Sequence, residues 1–257
     1  MTIAIDWLPE AAYLYLMVFA RVGALIMLVP VFGEGFLNTR VRLGIALALA
    51  LVLYPIVTPE LPAQPGGMMA AIGLLLHEMA VGLILGAIAR LIGSATQVAG
   101  SIIAYQIGLG FAQIADPSQS GVQGAIVGNF LGLLGLVMVL ATDLHHLVIA
   151  AIYDSYMVYP PQTPLMFADA FELAWQVAAQ SFVVGVQLAA PFIIYGLIFN
   201  LGLGILSKLM PQLQVFFIAM PASISLGMIL LALLVASISA WYLNHFSTEI
   251  RILMGQG

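Results

Sequence analysis

LAWQVAAQSFVVGVQLAAPFIIYGLIFNLGLGIL, residues 173–206, runs without a single Asp, Glu, Lys or Arg. Crossing the hydrocarbon of a bilayer takes about 20 mostly apolar residues in a helix, so this stretch predicts a membrane-spanning α-helix with residues to spare. Working outward, the same rule marks residues 213–243 on one side and 11–32, 41–57 and 68–92 on the other. The stretches between them carry turn chemistry: GEGFLNTR at 33–40, TPELPAQPGG at 58–67, YPPQTP at 159–164 and KLMPQ beginning at Lys208. The expected fold class is therefore all-α: a polytopic integral membrane protein of helical hairpins, with residues 1–257 as one membrane-embedded domain.

Composition supports the same reading. Of 257 residues, 63% are hydrophobic and 7% charged, against roughly a quarter charged in a soluble domain. Six Lys/Arg and eleven Asp/Glu cannot coat a globule of this size, so membrane lipid or other membrane proteins must cover most of the surface. Nucleic-acid binding is excluded as a main role, because neutralising phosphates needs clustered basic residues. The absence of cysteine rules out disulfides, thiolate-bound zinc and iron–sulfur clusters. Asp6 and Glu10 stand where a signal peptide would be basic, and the first helix is expected to be retained.

Residues 93–158 need a separate argument. Two apolar runs, 94–107 and 124–142, flank GLGFAQIADPSQSGVQG at 108–124, which is rich in glycine and has no Lys or Arg. Arg40, Arg42, Arg90 and Lys208 place their ends of the chain on the cytoplasmic side, and the Lys/Arg-free region from Asp143 to Glu172 lies opposite. An odd number of crossings must then join Arg90 to Asp143. At least one of the two runs is expected to be partial, with the segment between them broken or re-entrant. Such backbone survives at membrane depth only where protein buries it or it lines a watery cavity; an ordinary solvent loop is the alternative.

Few residues point to chemistry. Gly82 and Gly86, and Gly124, Gly128 and Gly132, stand at the spacing that lets helix backbones approach closely. Arg21, Glu78 and Arg90 lie within or beside apolar runs, where an ionised group costs at least about 2.5 kcal/mol unless paired or wet. Interhelical ion pairs, such as Arg21 with Glu78, are preferred to a proton pathway because Glu78 is nearly alone. Gln97, Gln106, Gln113 and Asn129 read as interhelical hydrogen-bonding groups. In TDLHH, Asp143 and His146 share a helix face at i,i+3 but the adjacent His145 and His146 do not; a helix end explains the string better than a metal site. GLG at 108–110 lacks the partners of a phosphate loop. No nucleophile, base and oxyanion arrangement is visible, so neither a catalytic residue nor a cofactor is expected.

Five strings in order resemble the flagellar biosynthetic FliR family and its virulence type III secretion counterparts. They are ARVGALIMLVPVFGEGFLNTRVRLGIALALALVLYP at 20–55, HEMAVGLILG at 77–86, QVAGSIIAYQIGLGFAQIADP at 97–117, HHLVIAAIYDSY at 145–156 and MPQLQVFFIAMPASISLGMILLAL at 210–233. The family often has a proline shortly before the arginine pair that here is Arg40 and Arg42. It also often has an Asn-Gly turn where this chain has Thr142 and Asp143. The resemblance implies a non-enzymatic subunit of the export gate of the flagellar basal body, in the bacterial inner membrane. It would assemble with FliP-type and FliQ-type subunits into a closed channel core that passes unfolded protein substrates. Energy would come through other components, and FlhB- and FlhA-type export proteins would be further partners. The family's pore plug falls on Gln106–Gln123 here, including Gly108, Gly110, Phe111, Asp116, Pro117 and Gly121. Glycines and short polar side chains suit backbone that fills a narrow lumen and moves aside. The rival readings are a small secondary transporter or channel, which should show internal repeats and a polar midplane site, and an intramembrane enzyme, which lacks its catalytic groups.

Overall fold

The structure, a computed structural model, describes residues 8–30, 32, 37–109, 122–164, 167–210 and 215–255. These form α1 (Leu8–Leu28), α2 (Thr39–Val57), a 3-10 turn (Thr58–Glu60), α3 (Met68–Gln106), α4 (Val122–Ala141), α5 (His145–Val158), α6 (Phe167–Leu209) and α7 (Val215–Leu253). There is no strand among the described residues. The helices α1, α2, α3, α6 and α7 are each long and apolar enough to cross a membrane. Residues Ile126–Ala141 and His145–Val158 pass the same test only as a pair, bent by 79°. The chain is an all-α polytopic membrane protein.

Helix ends follow the turn chemistry. Asn38 opens α2, its Oδ1 accepting a hydrogen bond of 3.1 Å from the Arg40 amide, which satisfies one of the amides left free at a helix start. Pro55 lies in the last turn of α2, and the 3-10 turn with Pro59 ends that hairpin arm. The Pro160–Pro161 pair follows α5 directly.

The middle of the chain differs from expectation. The run 94–107 is not a separate crossing: α3 continues through it without a break from Met68 to Gln106. Only Gly93 separates the run 94–107 from 68–92 in the sequence, and the continuous helix carries small and polar residues such as Gly100 and Gln97 where it meets α4. The bend that the structure does show lies later, at 142–144, where Asp143 takes the left-handed conformation with φ 59°. A residue with a Cβ rarely rests there; glycine, which the family resemblance places at this turn, does so freely.

The helices gather into two compact units, each drawn from several parts of the chain. One comprises residues 1–92, 139–178 and 247–257, the other 93–138 and 179–246. In the first, α1 buries Leu14, Met17, Val18, Val22, Leu25, Ile26 and Val29, two adjoining stripes at helical spacing. In the second, α3 buries Ala95, Ala99 and Ile103, one residue per turn, and α6 buries Val184, Leu188 and Phe192.

Candidate functional site

The polar centre of the first unit is built on a glycine contact. A Cβ at Gly82 would overlap the Arg21 carbonyl oxygen and sit 2.9 Å from the Ala24 Cβ. One at Gly86 would lie 2.9 Å from the Leu28 Cβ and 3.0 Å from the Leu25 carbonyl. The two glycines therefore let α3 and α1 touch along their backbones, as their spacing predicts. Glu78 is one helical turn before Gly82, and that close approach brings its carboxylate to Arg21.

Both side chains are fully buried and meet in a two-pronged ion pair, with Arg21 Nε 2.8 Å from Glu78 Oε2 and Nη2 2.8 Å from Oε1. The remaining guanidinium hydrogens go to α5 and its end. Nη1 donates to the Ser155 carbonyl at 2.8 Å and its hydroxyl at 3.3 Å, and Nη2 donates to the Tyr159 carbonyl at 2.8 Å. The Tyr156 ring lies under the guanidinium, 4.1 Å from its carbon. Arg21 thus ties α1 to α3 and to the far end of α5, and every charge in the group has an opposite or polar partner. His77 Nδ1 stands 3.6 Å from Glu78 Oε1, beyond hydrogen-bond length. Arg90, the third charge of the sequence reading, stands apart: it shares an exposed stripe of α3 with Leu83 and Ala87. The stripe that meets α1 is the one bearing Gly82 and Gly86.

The second unit has its own seams. Gly100 on α3 and Gly128 on α4 cross so closely that a Cβ on Gly100 would overlap the Gly128 backbone. The Gln97 side chain lies over the same seam, its Oε1 2.7 Å from where a Gly128 Cβ would be and its Nε2 3.1 Å from that of Gly132. Gly185 on α6 leaves room for Val98, whose Cβ is 2.7 Å from the missing one, and Gly227 on α7 makes room for Ile107. Tyr195 Oη donates to the Ser223 carbonyl at 2.8 Å, linking α6 to α7. Ser181 Oγ and His245 Nε2, both buried, are 3.4 Å apart and link α6 to α7.

Of the residues expected to form a plug, Gln106 ends α3 against Gly196, and Gly108 follows it with φ 92°. Gly110, Phe111, Asp116, Pro117 and Gly121 lie outside the described residues, as does Gln113. Gln123 and Gly124 are in the first turn of α4. Asn129 is exposed on α4. Asp143, His145 and His146 gather at the bend between α4 and α5. Sequence reasoning missed Ser155 and Tyr159 because carbonyl acceptors leave no mark in a sequence, and it missed the Tyr156 ring under Arg21 as well. It also missed Gly100 and Gly185, although the small residues Ala95, Ala99 and Gly100 hint at a seam.

Comparison with known proteins places the chain in a family. The family described as bacterial export proteins, family 1, matches residues 12–248. The flagellar biosynthetic protein FliR of Caulobacter vibrioides is 43% identical over 234 residues, 91% of this chain and 93% of its own. FliR of Bacillus subtilis is 31% identical, covering 93% and 92% of the two chains, and FliR of Escherichia coli 30% identical, covering 94% and 91%. With its glycine seams and buried ion pair inside the matched region, this chain belongs to the bacterial export proteins, family 1, as a membrane-embedded member alongside the FliR flagellar biosynthetic proteins.

Proposed function

We propose that the chain is a subunit of the flagellar protein export gate in the bacterial inner membrane. In this reading it assembles with FliP-type and FliQ-type subunits into a closed helical channel core, with residues 106–123 plugging the pore. Its role is structural rather than enzymatic.

The observation that carries this reading is the length and bareness of three helices. At 1.5 Å per residue, α3, α6 and α7, with 39, 43 and 39 residues, extend to about 58–65 Å. The hydrocarbon of a bilayer is about 30 Å thick. Within the chain, only 22–33% of the most apolar stretch of α2, α3, α6 and α7 is buried. Lipid can cover half of such a helix; the other half needs protein. Exposed Phe171, Trp175, Ile194, Leu197 and Leu201 on α6 spread over about 45 Å at 1.5 Å per residue, more than lipid alone covers. A secondary transporter would require a polar midplane site. The cavity of about 20 Å³ in the first unit, lined by Leu25, Leu85, Val148 and Ile250 among others, is apolar and is not such a site.

Co-expression of the tagged chain with FliP-type and FliQ-type subunits, followed by pull-down in mild detergent, tests the assembly. A stable complex retaining both is expected. A monodisperse, folded monomer that leaves both partners in the flow-through would overturn the proposal.

A further inference from the structure

We propose that Asp143, His145 and His146 form a binding site for one divalent transition-metal ion at the bend between α4 and α5. Each of the three residues offers one ligand atom, and these atoms lie within 4.8 Å of one another. The bend creates the grouping. Residues 142–144 are a turn, which sets Asp143 beside His145 and His146 in the first turn of α5. The two imidazole rings lie side by side, with centroids 4.2 Å apart and planes tilted by 34°.

The protonation pattern suits a cation. His146 Nδ1 is 3.2 Å from the Asp143 carbonyl oxygen. Carrying its hydrogen there, the neutral ring keeps a lone pair on Nε2, the way ligand histidines are commonly oriented. His145 Nδ1 is buried with no protein hydrogen-bond partner, so that ring also has an uncommitted nitrogen. Asp143 contributes a carboxylate, and its side chain is 79% exposed. The residue holds φ 59°, a conformation that aspartate, like asparagine, visits more readily than other residues with a Cβ.

Two imidazoles and one carboxylate are borderline ligands, which suit Zn²⁺, Co²⁺, Ni²⁺ or Cu²⁺ and not the all-oxygen preference of Ca²⁺ or Mg²⁺. Metal–ligand bonds near 2.0–2.1 Å in a tetrahedron put ligand atoms about 3.3 Å apart. Closing from 4.8 Å requires shifts on the order of 1 Å, available to side chains as exposed as those of Asp143 and His146.

The full-length chain, purified in detergent without a histidine tag and together with any subunits that accompany it, can be loaded with Co²⁺ and desalted. The proposal expects one Co²⁺ per chain with a visible d–d band, competed away by Zn²⁺. Asp143→Asn and His146→Ala should each weaken retention by about tenfold or more, and Glu10→Gln, at the start of α1, should not change it. Asparagine is at home in the left-handed conformation, so Asp143→Asn preserves the turn, and elution volume checks the fold of each variant. Absence of stoichiometric Co²⁺ in the unaltered chain, or undiminished retention in either Asp143→Asn or His146→Ala, would overturn the site.

Discussion

Replacing Arg21 with methionine keeps a long side chain but removes five hydrogen bonds at once, two to Glu78, two to Ser155 and one to Tyr159. The cost is set by what remains. Glu78 would be a fully buried carboxylate with no hydrogen bond from a cation, and breaking a buried pair in this way typically costs about 3–5 kcal/mol. Glu78→Gln should be milder, near the lower end of that range, because Arg21 keeps the Ser155 and Tyr159 carbonyls and the Tyr156 ring. The double variant Arg21→Met/Glu78→Met removes both charges. The Ser155 carbonyl still accepts from the Tyr159 amide at 2.9 Å, so only the Tyr159 carbonyl loses a donor, at about 1–3 kcal/mol. The double variant is therefore expected to be more stable than Arg21→Met alone. A charge swap, by contrast, should rescue nothing, since a glutamate at position 21 would face the two carbonyl oxygens. Thermal unfolding in detergent, read by loss of the monodisperse chromatographic peak, gives the order of the variants. Additive losses in the double variant, or an Arg21→Met chain as stable as the original, would refute the reasoning.

Other substitutions test the seams and the bend. Gly82→Ala forces a methyl into the Arg21 carbonyl and should cost about 1–3 kcal/mol in the same assay. Gly73→Ala, whose added methyl meets nothing within 4 Å, should leave stability unchanged or raise it by about 0.5–1 kcal/mol, the usual gain over glycine in a helix. Tyr195→Phe loses the bond to the Ser223 carbonyl and should lower stability by about 1 kcal/mol. Asp143→Gly, in metal-free protein, should relieve the left-handed backbone and raise the midpoint of unfolding modestly, by about 1 kcal/mol.

The fold was legible wherever a long apolar run met a cluster of turn residues. The segments 11–32, 41–57, 173–206 and 213–243 correspond to α1, α2, α6 and α7, with ends displaced by a few residues and α7 continuing to Leu253. The exception was α3. Residues 94–107 look like a separate run because Gly93, Ser94 and Gln97 dilute the apolar pattern, yet these residues lie on a helix packed against α4, where Gly100 and Gln97 meet Gly128. Local composition cannot tell a break from a contact. Arg21 and Glu78 were readable as partners because two opposite charges in apolar helices have few other options, although 57 positions separate them. The Ser155 and Tyr159 carbonyls that complete the arginine's hydrogen bonding were not readable, since any residue supplies a carbonyl. Thr142 and Asp143 stand at the turn that the family resemblance implied, but the 79° bend depends on a backbone angle that no sequence pattern states.

The plug is the part of the proposed function with the most specific consequence, and ion leakage tests it most directly. A chain lacking residues 108–123, assembled with its partner subunits in membranes, is compared with the intact chain, and leakage is normalised to the amount of complete complex. The account expects assembly to persist and leakage per complex to rise. Unchanged leakage per complex would contradict it, leaving the segment between α3 and α4 as an ordinary solvent loop.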